Sequence, residues 1–361
     1  DPDWAPRVIY AGNDVFNAMT GPACMVIMER MVEIGRTHKL EVNGVRTEFA
    51  YKTTDVKLCQ FLFEDETLKE TVEGDFSRND REQRSRVAVL YDAWLAKLGI
   101  PQWFRTLLLD LEHYTVVNHQ YGLRAKLFAQ LPTGTTSTTP RNSFYNWVQA
   151  CVALRRQGIR GRLVILGDDL LARLSRRLDL NAWVRTVADF KMVLKAKAPQ
   201  IDGAATFLSR RIFANEAIPC MVPLLGKMLV RFNIRATIDD SLSDSAYMAG
   251  KALSYAYECR HVPMLRNIFL KRYHAEKDSD EVRLQDLTWF TRTSGLTVEQ
   301  IVKQIENEEV VVDDYSFGAW CCEQYDLDMC EVEDLFEATV NNADPVMLSM
   351  PTIANMACDY S

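Results

Sequence analysis

Arg162-Leu-Val-Ile-Leu-Gly-Asp-Asp-Leu170 decides how this chain is read. The apolar run Leu163 to Leu166 has the length and composition of a buried strand. Gly167 ends it, and two carboxylates, Asp168 and Asp169, follow at once. Leu170 to Leu174 then read as the returning strand of a hairpin. Two adjacent acids at a tight turn on a rigid strand suggest a divalent metal site. A lone Gly-Asp-Asp arises readily by chance, so its weight depends on whether other segments bring further ligands and substrate contacts.

One such segment is Thr71-Val-Glu-Gly-Asp-Phe-Ser-Arg-Asn-Asp80. A short strand approaches Gly74, Asp75 stands at its end, and Asp80 follows five residues later. A helix begins near Asp80, with Val87, Leu90, Tyr91, Trp94, Leu95 and Leu98 at helical spacing, and stops at Gly99 and Pro101. Asp80 also suits a plain helix N-cap. Asp75 precedes the helix and has no such simple reading.

The third segment is Pro132-Thr-Gly-Thr-Thr-Ser-Thr-Thr-Pro-Arg-Asn142. A hydroxyl-rich loop around Gly134 runs into a helix whose apolar face is Phe144, Trp147, Val148, Cys151 and Leu154, with Pro140 and Asn142 in its first turn. Downstream, a helix over 181–189 precedes a strand over 190–197 carrying Lys191, Lys195 and Lys197 on one face. A turn at Asp202-Gly203 leads into a strand over 206–213 that contains Arg210 and Arg211.

The remaining chain reads more plainly. Residues 4–10 form a short strand with one cation, Arg7. Residues 15–35 form a helix whose Met stripe fills a core. Strand-like pieces lie around 39–45. A helix covers about 102–114, and 123–131 alternate as a strand. From Pro219 onward the pattern is helical, including 243–259 and 297–307.

Bulk numbers bound the function. With 361 residues, 48% of them hydrophobic, the chain can build one large core or two to three small ones. No run of eighteen apolar residues exists to span a bilayer. Nine cysteines without a repeating spacing read as reduced thiols. The opening Asp-Pro-Asp-Trp lacks a Met and structure begins almost at once, which reads as a piece of a longer polypeptide. A net charge of −7 argues against simple DNA coating. The average hides a gradient. Residues 155–235 hold 16 Lys and Arg against 6 Asp and Glu, whereas 276–361 hold 4 against 20. The basic middle suits a polyanion.

Set in order, the segments give strand-helix-strand-strand-helix-strand, the ferredoxin-like βαββαβ plan. Its first and third elements lie side by side, which would bring Asp75 and Asp168 to adjacent strand ends. Three aspartates on two strands suit phosphoryl transfer, where two Mg²⁺ about 3.5–4 Å apart activate a hydroxyl and stabilise a leaving pyrophosphate.

These residues resemble the palm motifs of the RNA-dependent RNA polymerases of positive-strand RNA viruses, in their usual order. Asp75-Phe-Ser-Arg-Asn-Asp80 is similar to motif A, Thr133-Gly134 with Thr138 and Asn142 to motif B, and Gly167-Asp168-Asp169 to motif C. The strand with Lys191, Lys195 and Lys197 is similar to motif D, Phe207-Leu-Ser-Arg-Arg211 to motif E, and Pro6-Arg-Val-Ile9 to the tail of motif F. Asp-x-Ser-Arg-x-Asp and Phe-Leu-Ser-Arg lie nearest the tombusvirus- and nodavirus-like group.

The resemblance implies an α+β right-hand polymerase with a ferredoxin-like βαββαβ palm, partial fingers and a mostly helical thumb. It divides the chain into partial fingers at 1–70, palm motif A at 71–100, a fingers insertion at 101–132, palm motifs B to E at 133–213, and a thumb with an acidic C-terminal region at 214–361. It implies Mg²⁺ or Mn²⁺ on Asp75, Asp168 and Asp169. Asp80, helped by Asn142, would take the ribose 2′-hydroxyl, which marks RNA. Gly134 and Thr138 would meet template or nucleotide closely, and Arg7 the triphosphate. Lys195 would give pyrophosphate its proton, although Lys191 and Lys197 share its face. Arg210 and Arg211 would touch the primer backbone. The implied partners are an RNA template, the nascent RNA, nucleoside triphosphates and other viral replication proteins, in host cytoplasm at membrane-associated replication complexes. A reverse transcriptase-like polymerase is the nearest rival, but those usually carry an aromatic residue where Asp80 stands. A non-catalytic RNA-binding remnant would explain the basic middle and leave the three aspartates unexplained.

Overall fold

The computed structural model describes residues 14–37, 39–76, 83, 85–110, 113–118, 120–128, 131, 133–197, 205–214, 216–232, 234, 243–276, 287, 291, 294–341 and 355–360. The expected strand over 4–10 lies outside them. The first elements are α1 (Asp14–Thr37), β1 (Glu41–Val42), β2 (Val45–Phe49), α2 (Asp55–Phe63), β3 (Glu70–Phe76), α3 (Ser85–Lys97) and α4 (Gln102–Asp110). Next come β4 (His113–Asn118), β5 (Leu123–Phe128), α5 (Thr138–Gln157), β6 (Gly161–Leu166), β7 (Asp169–Leu174), α6 (Leu180–Asp189) and β8 (Leu194–Lys197). The chain divides into two compact units, residues 1–51 with 64–202, and residues 52–63 with 203–361.

In the first unit a six-stranded sheet runs β1-β2-β6-β7-β3-β8. Its last four strands, taken in chain order, follow the ferredoxin-like plan, and the first of them, β3, pairs with the third, β7. β6 lies in the sheet interior, and Leu163, Val164 and Ile165 have no exposure. Burial on both faces explains why the sequence there is apolar without alternation. β2 pairs with β6 in parallel and β1 extends that edge.

The helices of this unit bury apolar stripes beside the sheet. α1 contributes Ile27, Met28 and Met31, α5 contributes Phe144 and Leu154, and α6 contributes Trp183 and Val187. α5 stops at Gly158, which takes φ 62° and returns its N–H to the carbonyls of Leu154 and Arg155. That left-handed cap turns the chain straight into β6. α6 begins at Asp179, whose carboxylate accepts the Ala182 N–H at 3.0 Å.

The second unit holds β9 (Thr206–Phe207), β10 (Arg210–Phe213) and β11 (Cys220–Pro223) in one sheet. Its later helices are α7 (Leu225–Phe232), α8 (Asp244–Glu258), α9 (Pro263–Glu276), α10 (Val298–Glu306), α11 (Asp314–Tyr325) and α12 (Met329–Asn341), and a short 3-10 turn covers Ala357–Tyr360. Phe232, Leu253, Phe269, Trp320 and Phe336 centre its core. α2 belongs here, and Asp55 reaches Arg260 and His261 in the interior. Asp359, in the 3-10 turn, accepts the Gly226 N–H at 2.8 Å and the Tyr325 hydroxyl at 3.0 Å, so it caps α7 from the far end of the unit.

Several sequence expectations change. The helix expected over 102–114 ends at Asp110, and His113–Asn118 pairs with Leu123–Phe128 as a hairpin. Asn118 accepts the Tyr121 N–H and Gly122 takes φ 62°, turn chemistry that the helical reading overlooked. The strand over 190–197 shortens to Leu194–Lys197, because Lys191 adopts φ 63° just after α6. The strand over 206–213 is two strands, with Leu208 and Ser209 both at positive φ, as a type I′ hairpin requires. The helical pattern after Pro219 starts instead with the fully buried strand β11. Residues 52–63 group with residues 203–361 in the C-terminal unit. Among the described residues no helix is long and apolar enough to cross a membrane.

Candidate active site

Asp75 is the sixth of the seven residues of β3, and its side chain is exposed. The β3–β7 ladder pairs Gly74 with Leu170, so one further step sets Asp75 across from Asp169. Asp168 occupies the β6–β7 turn, next to Asp169 in the chain. The third strand therefore lies beside β3, as the ferredoxin-like plan anticipated, and its register sets Asp169, where that plan named Asp168, across from Asp75.

The turn itself is held with care. Leu166 and Asp169 close the hairpin, leaving Gly167 and Asp168 as its two loop residues. Gly167 takes φ 63°, which favoured two-residue hairpins demand at their first central position. A Cβ there would meet nothing within 4 Å, so the glycine answers to backbone conformation and not to space. Both polar groups of Gly167 bind α5. Its N–H donates to Ser143 Oγ at 2.8 Å, and its carbonyl accepts from Asn146 Nδ2 at 3.0 Å. Ser143 and Asn146 are fully buried.

The loop before α5 joins this arrangement. Gly134 is exposed at φ 93°, and Thr138 opens α5 with its hydroxyl 3.2 Å from that of Thr135. Thr136 and Thr20 of α1 share a hydroxyl–hydroxyl bond of 2.7 Å. Asn142 is buried and accepts a hydrogen bond from Gln83 Nε2. Asp80, which Asn142 was expected to help, and Arg7 both lie outside the described residues.

The three lysines are no longer equivalent. Lys195 pairs with Asp75 in the β3–β8 register. Lys197 pairs with Glu73 and forms an ion pair with it at 3.2 Å. Lys191 sits in the left-handed turn outside the strand. The two arginines separate as well. Arg210 turns inward, 4% exposed, and binds Glu258 at 2.7 Å. Arg211 is partly buried, with Glu323 at 3.9 Å.

Among the described residues no three His, Cys, Asp or Glu side chains are gathered closely enough to hold a metal ion by themselves. The hard carboxylate oxygens of Asp75, Asp168 and Asp169 fit Mg²⁺ in its usual manner, one or two protein carboxylates completed by water and substrate phosphates. Sequence reasoning missed Gln83, Ser143 and Asn146. The signal for the last two was a row of polar residues spaced three apart inside an otherwise apolar helix.

A ferredoxin-like sheet thus carries acids at the ends of its first and third strands, beside a hydroxyl-rich loop and helix. The model of the RNA dependent RNA polymerase family matches residues 4–297. The chain belongs to that family. It is similar in fold to the crystal structure of the RNA-dependent RNA polymerase of a human picorbirnavirus, with a TM-score of 0.62 at 14% identity, over 84% of this chain and 60% of that one. An insertion-loop deletion mutant of that polymerase gives 0.61 at 14% identity, over 84% and 59%. The chain thus spans about three-fifths of the length of these solved polymerases. No curated protein matches it.

Proposed function

We propose that this chain carries the catalytic palm of an enzyme that copies a viral RNA genome, transferring nucleotides from nucleoside triphosphates to an RNA 3′-hydroxyl on an RNA template. One observation carries the reading: β3 and β7 bring Asp75 and Asp169 to facing positions beside Asp168, in a chain of the polymerase family.

Asp75, Asp168 and Asp169 would hold Mg²⁺ or Mn²⁺. When bound, two such ions supply the charge that activates the 3′-hydroxyl and stabilises the leaving pyrophosphate. Lys195, facing Asp75 in register, supplies a proton to that pyrophosphate. Asp80 takes the ribose 2′-hydroxyl, and Asn142, held by Gln83, buttresses that end of the pocket. Gly134 and Thr138 border the nucleotide and template. Arg7 neutralises the triphosphate. Arg211 remains the primer-side cation, since Arg210 is committed to Glu258. Catalysis is then mainly positioning and charge neutralisation.

The finer placement, with tombusvirus- and nodavirus-like polymerases, rests on Asp75-x-Ser77-Arg78-x-Asp80 and Phe207-Leu-Ser-Arg210. The same reading places the enzyme in host cytoplasm, at membrane-associated replication complexes with other viral replication proteins. The test is incorporation of ribonucleotides on an RNA template by the full-length polymerase in Mg²⁺ or Mn²⁺. Asp168→Asn should abolish it, and equal incorporation by wild type and variant overturns the assignment.

A further inference from the structure

Four polar side chains lie buried beneath the two acid-bearing strand ends and have no part in the chemistry above. Ser143, Asn146 and Gln149 stand along α5 at three-residue spacing, and Trp183 comes from α6. All four are at most 2% exposed. Trp183 Nε1 donates to Gln149 Oε1 at 2.8 Å. Gln149 Nε2 donates to Asn146 Oδ1 at 3.1 Å and to its carbonyl at 3.0 Å. Asn146 Nδ2 donates to the Gly167 carbonyl at 3.0 Å. Ser143 Oγ accepts the Gly167 N–H and donates its own O–H to the Thr139 carbonyl, both at 2.8 Å. At the other end, the Trp183 ring lies so near Gly74 that a Cβ there would stand 3.2 Å from Cη2.

The directions in this chain follow from one group. An indole N–H can only donate. Gln149 must therefore offer Trp183 its oxygen and turn its NH₂ to Asn146. Asn146 must in turn offer Gln149 its oxygen and turn its NH₂ to Gly167. A donor under the residue before Asp75 thus fixes the orientation of two amides and ends on the peptide before Asp168. Buried networks of this kind rigidify when every member is satisfied and fail sharply when one is removed. Apolar side chains would fill the same space without carrying orientation from β3 to the β6–β7 turn.

We propose that Ser143, Asn146, Gln149 and Trp183 are positioning residues that set Asp75 against Asp168 and Asp169, and so set the site's affinity for a divalent cation; this rests on the assignment of those aspartates as cation ligands.

Mn²⁺ titration followed by electron paramagnetic resonance on the full-length polymerase tests it, with incorporation measured in parallel. Asp168→Asn is the reference, and binding in that variant at the wild-type level overturns the ligand assignment itself. With that assignment standing, Asn146→Ala and Trp183→Phe should each weaken Mn²⁺ binding about 10-fold, as outer-shell partners of metal ligands do. They should raise the Mg²⁺ needed for half-maximal incorporation and leave the KM for nucleotide nearly unchanged. The double variant should be no weaker than the worse single one, because both cut one relay. Ser143→Ala, the smallest change, serves where Trp183→Phe loses its helical circular dichroism. Wild-type Mn²⁺ affinity in folded Ser143→Ala and Asn146→Ala, with only a lowered melting temperature, overturns the proposal and leaves the function intact. Additive losses in the double variant overturn it too.

Discussion

Lys195 stands directly across the β3–β8 ladder from Asp75. Facing residues of an antiparallel pair project from the same side of the sheet, with Cβ atoms about 4.5–5.5 Å apart. Lys197, two residues on, is drawn to Glu73 instead. Lys195→Gln should lower kcat by about 100-fold, the scale of a lost general acid. Lys197→Gln should cost far less. Steady-state kinetics of the two variants decide the matter, and equal losses would reject Lys195 as the proton donor.

Gly167 gives a stability prediction independent of catalysis. Its φ of 63° costs an L-residue about 1–2 kcal/mol, while space for a Cβ is present. Gly167→Ala should lower the thermal midpoint by a few degrees. Gly167→Asn should lower it less, since Asn visits the left-handed region more readily. Equal losses in the two variants would show that something other than φ selects the glycine.

Sugar choice should depend on both ends of the segment from Asp80 to Gln83. Asp80→Ala should raise deoxynucleotide incorporation relative to ribonucleotide by about 10-fold, the worth of one hydrogen bond to a charged group. Gln83→Leu should act in the same direction by releasing Asn142, whose oxygen Gln83 holds. Competition assays with paired nucleotides measure both. Unchanged discrimination in Asp80→Ala would reduce that residue to a helix cap.

Acid should act on the C-terminal unit through Asp55. Burial alone would raise its pKa, but Arg260 and His261 reverse this and hold the carboxyl well below the usual carboxylate range. A carboxylate lowered on folding contributes stability that is complete above about pH 4 and is lost as pH falls toward its folded value. Asp55→Asn should therefore cost about 3–5 kcal/mol at pH 7, because Arg260 loses its buried partner. The gap between wild type and variant should narrow below pH 4. Denaturant titrations at pH 7 and pH 3 give the comparison, and a gap independent of pH would contradict the buried charge.

Much of the first unit was legible because its signals are local. The Leu163 to Leu166 run, the Gly167 turn and the return strand are adjacent in sequence, and the ferredoxin-like plan then dictates which strand meets β3. What escaped was non-local. Asp55 finds Arg260 across 205 residues, so nothing near α2 hinted that it belongs with the C-terminal helices. The β4–β5 hairpin was hidden because its first strand follows directly on a helical pattern. Ser143 and Asn146 lie beside the apolar face of α5, and only their meeting with Gly167 gives them a purpose. The acidic C-terminal region proved partly local after all. Asp313 accepts the Ser316 N–H at the start of α11, and Asp328 accepts the Glu331 N–H at the start of α12, so some of that charge complements helix N-termini.

The cap that Asp359 places on α7 sets an order of assembly. Gly226 leaves the ribosome 133 residues before the carboxylate that receives its N–H. At the usual pace of translation that interval is on the order of ten seconds. Until then Gly226 lacks its acceptor, although the neighbouring Leu225 N–H can already reach the Tyr325 hydroxyl at 3.0 Å. Completion of the C-terminal unit therefore waits for the synthesis of residue 359, and a ribosome stalled short of it would hold α7 without that cap.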